Sequence, residues 1–255
     1  MAYDIIGNIA IVKFKEGTSK EDKKNLAKSI LEKQNNVYTV LEKIEKVSGK
    51  LRTFKTRFLA GKNTKETIHR ESGCLFKLNV EKCYFSPRLS NDRLEIAKRI
   101  KGGKVICLFS GVAPYPIIIA KHTSASKVVA IELNKECTKY AKENKILNKI
   151  GDKLEILQGD VNKIVPKLAK KEKFDYIVMN RPQLKDTFLS SSLKASKKSS
   201  IVFYHGFGKD IKEIKKEIEQ ECKKNKKKIK FLESWINGDI SPYTYRFTIV
   251  FKVLN

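Results

Sequence analysis

The stretch FDYIVMNRPQLKDTF, Phe174 to Phe188, decides how this chain reads. Five of its first six residues are apolar or aromatic, the composition of a buried strand. The run then stops at Asn180-Arg181-Pro182-Gln183, with a helix expected to follow. In doubly wound sheets, ligands bind beyond the carboxyl ends of the strands. A core strand that closes on an amide, a fixed turn and a polar cluster therefore makes the residues just after every other strand informative.

From about residue 89 outward, strands and helices alternate. LSNDRLEIAKRI is predicted helical, KVICLF a strand, APYPIIIAKH a helix and KVVAIEL a strand. NKECTKYAKENKILN, KLEILQG and VNKIVPKLA continue the pattern up to Phe174. QLKDTFLSSSLKAS, SIVFYHGF and KDIKEIKKEIEQECKK come after it, and KIKFLESWI with YTYRFTIVFKV forms a terminal hairpin. This alternation predicts an α/β fold with a mostly parallel sheet covered on both faces and an antiparallel pair at its end. The first 85 residues read as a smaller α+β domain. DIIGNIAIVKF is a strand around Gly7, and Ser19 caps a helix with apolar positions Leu26, Ile30 and Leu31. NVYTVLEKI, KLRTFKTRFLA and CLFKLNV are β-type pieces. The expected domains are 1–85 and 86–255.

Composition narrows the partner. The chain has 255 residues and is 41% hydrophobic, enough for packed cores. Lys and Arg number 54 against 28 Asp and Glu, a net charge of +26. A charge of this size suits a polyanion, because each neutralised phosphate releases condensed counterions. The bland alternative is a lysine-rich composition set by genome or habitat. The run Lys223 to Lys228, broken at Asn225, reads as a solvated helix end or turn. No apolar run approaches the roughly 20 residues of a membrane span, and the N-terminus lacks signal-peptide features. Five dispersed cysteines without a CxxC pair predict buried free thiols in a reducing cytoplasm and no structural metal.

The strand ends supply the chemistry. After KVICL comes Phe109-Ser110-Gly111-Val112-Ala113-Pro114, where Gly111 permits a tight turn. After KVVAI comes Glu132, whose ionised carboxylate is acceptor-only and can take both hydroxyls of a ribose. Asp160 comes after the third strand, as an acceptor for an amino group or as a helix cap. Asn180-Arg181-Pro182 comes after the fourth, where proline fixes the backbone and asparagine offers a donor and an acceptor. In this order the four elements resemble those of the class I S-adenosylmethionine methyltransferases. A dinucleotide site would show a GxGxxG cradle, which is lacking here.

A longer stretch is more specific. AGKNTKETIHRESGCLFKLNVEKCYFSPRLSNDRLEIA resembles the archaeal and eukaryotic tRNA guanine-37 N1-methyltransferases. The match runs through Ala60-Gly61, Thr67, His69, Arg70, Glu71, Gly73 and Phe76. It continues in Tyr84-Phe85-Ser86-Pro87-Arg88-Leu89 and Asp92-Arg93, then FSGVAP, AIELN, GDV, MNRPQ and SPYTYRFTIVFKV. The resemblance covers nearly the whole chain and implies a Rossmann-like methyltransferase domain that comes after a smaller α+β domain. It begins at the family's second domain, so the extra N-terminal domain of longer members has no counterpart in the chain.

The resemblance also implies roles. Guanine N1 carries a proton at neutral pH, so a base near N1 and a cation near O6 aid methyl transfer. Asp92 matches the family's proposed base, one methylene shorter than the usual Glu, and Arg52 matches the O6-stabilising cation. Asn180 would hold the guanine edge. S-adenosylmethionine would lie against Phe109, Gly111, Ala113, Glu132, Leu133, Asp160, Val161, Asn180 and Pro182. Tyr84, Arg88, Arg93 and Arg181 would meet the substrate. The implied partner is the anticodon stem and loop of tRNA, bound by a cytoplasmic monomer. The chain departs from the family pattern at Cys107, in place of an acid, at Ala113, in place of a glycine, and at Arg181, in place of an apolar residue. Two rival readings stay open. One is methylation or aminocarboxypropyl transfer on a wyosine-type precursor at the same nucleotide, and the other is a non-catalytic RNA-binding relative.

Overall fold

The computed structural model describes residues 3–45 and 51–255. It divides into two compact units, Met1–Pro87 and Arg88–Asn255.

In the first unit the stretch expected as one strand is two. β1 (Tyr3–Ile6) turns at Gly7 into β2 (Ile9–Val12), and the two pair antiparallel. Gly7 adopts φ +57°, a left-handed conformation that glycine takes without a Cβ penalty. Its N–H donates to His69 Nδ1 at 3.1 Å, and Asn8 N donates to Thr67 Oγ1 at 3.1 Å. α1 (Lys20–Lys33) starts at Ser19, whose hydroxyl accepts from Asp22 N at 3.0 Å. It carries the chain across to β3 (Thr39–Lys43), parallel to β2, and β4 (Thr56–Gly61) completes the sheet order β1-β2-β3-β4. The strand expected from Lys50 is seen only over Thr56–Gly61, and Lys50 itself lies outside the described residues. Ala10, Val12, Ala27, Ile30, Val37 and Val40 form the core between α1 and the sheet. β5 (Glu66–Glu71) and β6 (Cys74–Asn79) make a separate hairpin.

The second unit opens with α2 (Ser90–Arg99) and then alternates. Its elements are β7 (Lys104–Leu108), α3 (Pro114–His122), β8 (Lys127–Glu132), α4 (Lys135–Leu147), β9 (Leu154–Gln158) and α5 (Val161–Leu168). β10 (Phe174–Met179), the short α6 (Leu189–Ser192), β11 (Ser196–Gly208), α7 (Ile211–Lys224), β12 (Ile229–Ser241) and β13 (Thr244–Val253) complete it. The sheet order is β12-β13-β11-β10-β7-β8-β9. The five strands from β11 to β9 run parallel, and β13 joins β11 antiparallel. This is the Rossmann-like α/β architecture expected, with the terminal hairpin on one side. Strands covered on both faces read as continuous apolar runs, and VICL, VVAI and IVM are all buried. α7 presents Ile214, Ile218 and Cys222 to the core at helical spacing, leaving its lysines outside.

One expected element fails. The helix predicted to begin at Gln183 forms only over Leu189–Ser192, after an irregular loop over 180–188. The cause is a competing donor. Arg181 Nη1 takes the carbonyls of Pro182, Leu184 and Asp186 at 3.3, 3.1 and 3.2 Å, bonds that a helix would need for itself.

A Cβ at Gly7 would lie 2.1 Å from Thr67 Oγ1 and 2.5 Å from Ile68 O. Gly7→Ala combines that clash with a left-handed penalty of roughly 1–2 kcal/mol, so the melting temperature of this variant should fall by several degrees. An unchanged melting temperature would show that the turn relaxes freely.

Candidate functional site

The turn after β7 is bent by three left-handed residues, Phe109 (φ +61°), Gly111 (φ +55°) and Ala113 (φ +66°). Ala113 precedes α3, and Pro114 opens that helix at the position where its missing N–H costs nothing. Ala113 is fully buried. Cys107, at the family's acidic position, is buried in β7, and burial pushes its thiol well above the ordinary range.

Glu132 ties two strand ends together. Its Oε2 accepts from Gly111 N and its Oε1 from Asn134 N, both at 2.7 Å. Burial raises its pKa, against the opposing effect of the backbone donors Asn134, Gly111 and Leu133. Of the roughly four lone-pair sites of a carboxylate, these backbone donors leave room for an incoming hydroxyl. Leu133 is exposed beside it. Asp160 takes the cap alternative, with Oδ1 accepting from Asn162 N at 2.8 Å at the start of α5. Val161 packs into the core.

At the end of β10, Asn180 Nδ2 donates to Phe109 O at 2.7 Å. That bond fixes the amide, and the other end, Oδ1, is buried with no hydrogen-bond partner among the described residues. A buried acceptor left unpaired costs about 1–3 kcal/mol, and such an atom calls for an explanation. Phe188 packs edge-on against Phe109, with ring centroids 4.7 Å apart, and closes the loop over 180–188.

Two of the expected substrate contacts, Arg181 and Arg93, lie in the interior. Arg181 is 7% exposed and turned inward. Its Nε donates to His205 O at 3.0 Å, and its guanidinium carbon lies 5.0 Å from the Tyr204 ring centre and 5.3 Å from that of Phe207. It pins the loop from inside. Arg93 is 2% exposed over the ring of Tyr115 and is likewise interior. Arg88 stays at the surface. In the first unit, Arg52 (φ +54°) stacks on Tyr84 with its guanidinium carbon 4.3 Å from the ring centre, and its Nε is buried without a hydrogen-bond partner among the described residues.

Asp92 is the largest departure from expectation. It is 3% exposed, and its Oδ1 accepts from Trp235 Nε1 at 2.9 Å and Thr248 Oγ1 at 2.7 Å. Its Oδ2 accepts from Tyr115 Oη at 2.5 Å and faces His205 Nε2 at 3.0 Å. A carboxylate offers about four lone-pair sites, and here four donors fill them. Burial would raise its pKa, but the charge interaction with His205 and the bonds from His205, Tyr115 and Thr248 hold it well below the usual carboxylate range. Burial and the neighbouring Asp92 charge push Tyr115 far upward, so it remains a donor. The carboxylate expected as the base is thus a buried anion bonded by four donors. Sequence reading missed all four partners, because they lie 23 to 156 residues away. The one available signal was the scarcity of Trp and His in the chain.

The carboxyl ends of β7, β8, β9 and β10 therefore carry a bent turn, a bridging carboxylate, a cap and an asparagine with a free acceptor. That is the layout of a class I methyltransferase. Residues 67–230 match the TRM5/TYW2 methyltransferase domain, and residues 1–64 match the TYW2 N-terminal domain. The chain is 35% identical to the tRNA (guanine(37)-N(1))-methyltransferase Trm5b of Pyrococcus abyssi, over 99% of this chain and 74% of that one. It is 31% identical to the tRNA (guanine(37)-N(1))/4-demethylwyosine(37)-methyltransferase Taw22 of Nanoarchaeum equitans, over 98% of both. A solved complex of aTrm5 with tRNALeu superposes with a TM-score of 0.89 at 27% identity, over all of this chain and 72% of that one. The chain belongs to the TRM5/TYW2 methyltransferase family.

Two measurements probe this geometry. Because the folded pKa of Asp92 lies below its unfolded value near 3.9, its ionisation adds stability above that pH and loses it as pH falls. Asp92→Asn should therefore lower the melting temperature most at neutral pH, with the gap from wild type narrowing below about pH 4; a gap independent of pH would contradict this. Arg181→Met should release the loop, so that trypsin cuts at Lys185 faster while the core keeps its melting temperature. Equal cleavage rates would remove Arg181 as the pin.

Proposed function

We propose that this protein is a cytoplasmic, monomeric tRNA methyltransferase acting on N1 of guanine 37, with S-adenosylmethionine as methyl donor. One observation carries the reading. Asn180 is held by Phe109 O and offers a buried Oδ1 without a partner among the described residues. Such an acceptor suits the N–H edge of a guanine, which has donors at N1 and the exocyclic amine. The names of the similar proteins support the same substrate, and the net charge of +26 suits the anticodon stem and loop of tRNA.

The residues present fit the cofactor. Glu132 would take the ribose hydroxyls, and Phe109, Gly111, Ala113, Leu133, Asp160, Val161 and Pro182 would surround the rest. When bound, S-adenosylmethionine supplies an electrophilic methyl group. Arg52, stacked on Tyr84, is the cation proposed for charge developing at O6. Arg88 is the surface arginine proposed for the RNA backbone. Asp92 stays the proposed acceptor for the N1 proton, at the cost of one of its four donors. Tyr115, Thr248 and His205 can each reverse from donor to acceptor, whereas the Trp235 indole cannot. Among the described residues, no group of three His, Cys, Asp or Glu side chains is placed to hold a metal, and no helix is long and apolar enough to cross a membrane.

A second reading rests on the match of residues 1–64 to the TYW2 N-terminal domain and on the 4-demethylwyosine named for Taw22. It adds a tricyclic guanine derivative as a second methyl acceptor at position 37.

Mass spectrometry of nucleosides tests both. Unmodified tRNA with guanine 37, incubated with protein and S-adenosylmethionine, should yield 1-methylguanosine that disappears when that guanine is replaced. No product despite cofactor binding would transfer the assignment to the tricyclic precursor. No product and no cofactor binding would overturn the enzymatic reading.

A further inference from the structure

One residue outside the expected set joins Asp92 to the loop that carries Asn180. The register of β10 and β11 pairs Met179 with Tyr204, which sets His205 alongside Asn180 at the carboxyl end of the sheet. The His205 ring meets Asp92 Oδ2 through Nε2 at 3.0 Å, and its backbone carbonyl accepts from Arg181 Nε at 3.0 Å. Arg181 gathers the carbonyls of Pro182, Leu184 and Asp186. Among the described residues, His205 alone is bonded both to Asp92 and to Arg181.

The chemistry fixes the ring as well. An ionised carboxylate only accepts, so Nε2 carries the hydrogen. The ring is 2% exposed and packs edge-on to Tyr115, with centroids 5.8 Å apart. Tyr115 donates to the same Asp92 oxygen. The imidazole is held on two sides and cannot turn away without breaking the carboxylate's arrangement.

We propose that His205 is a positioning residue for methyl transfer: its ring orients Asp92, and its backbone anchors the loop of Asn180, so the two groups keep one geometry. The proposal rests on the guanine-methylation reading for its kinetic consequence, but the hold on Asp92 is independent of any substrate. His205 touches neither methyl donor nor acceptor in this scheme. It acts through Asp92 and Arg181.

The test uses His205→Leu, which removes the donor, and His205→Gln, which keeps a nitrogen donor on a side chain of comparable reach. Trp235 is the only tryptophan of the chain, and its indole N–H is bonded to Asp92 Oδ1. Its fluorescence therefore reports on the carboxylate in the 255-residue chain with no ligand added. In His205→Leu the emission maximum should move and acrylamide quenching should increase, while His205→Gln keeps the wild-type spectrum. Under single turnover, His205→Leu should slow 1-methylguanosine formation on the order of 10²-fold, the scale of a small misplacement of reacting groups. The KM for tRNA and the affinity for S-adenosylmethionine should stay unchanged, and His205→Gln should restore the rate. A wild-type spectrum and rate in His205→Leu would overturn the proposal. So would equal losses of rate, cofactor binding and melting temperature in both variants, since His205 would then be ordinary core. If the wild-type protein forms no 1-methylguanosine, the substrate reading falls, and the fluorescence of the two variants alone decides whether His205 holds Asp92.

Discussion

The second unit is organised around a buried negative charge. Asp92 lies in the first turn of α2, and its four donors come from α3, β11, β12 and β13. An isolated carboxylate in such a place would be prohibitive, whereas a fully bonded one is tolerated. Satisfying it requires the terminal hairpin to close against the middle of the sheet with Trp235 and Thr248 in reach. It also requires α3 to start where Tyr115 can donate, which the bent turn of Phe109, Gly111 and Ala113 provides. The charge thus acts as a registration point for elements that share few neighbours in sequence. A networked polar core of this kind favours one arrangement over its near alternatives.

The fold was legible because its signals are local. The alternation from residue 89 onward, the apolar runs VICL, VVAI and IVM, and the Ser19 cap are each contained in a few residues, and each appears in the structure. The strand ends were legible for the same reason, since Gly111, Glu132, Asp160 and Asn180 lie at or within three residues of the ends of their strands. The meeting of side chains from distant elements was not legible. Nothing near Asp92 in sequence announces Tyr115, His205, Trp235 or Thr248, so the resemblance could point to a base at this position but not to the network around it. Gly7 misled in a smaller way: one glycine in an apolar run can be a bulge or a turn, and only its contacts with Thr67 and His69 decide for the turn.

Arg181 shows how a single side chain can override a helical pattern. The segment from Gln183 has an amphipathic look, but a helix there would need the Leu184 and Asp186 carbonyls for its own ladder. A guanidinium has five donors in a rigid fork, is always charged and stacks on aromatic faces. Placed between Tyr204 and Phe207, it satisfies those carbonyls from inside. Arginine at this point therefore shapes the loop beside Asn180 while its charge stays in the interior.

The distribution of cations obeys the same logic. The chain has eight arginines and 46 lysines. Arg93, Arg181 and Arg246 are buried, and Arg52 and Arg99 lie over aromatic rings. No lysine is buried among the described residues. A guanidinium is weakly hydrated and can bond to carbonyls and carboxylates in a fixed plane, whereas an ammonium keeps its water and stays mobile. The architecture accordingly uses arginine inside, and the surface field that would attract a polyanion comes mainly from lysine. A field made of mobile, hydrated charges attracts phosphate strongly but reads little sequence. In the proposed reading, choice of nucleotide would then fall to the few fixed polar groups at the strand ends, with Asn180 foremost among them.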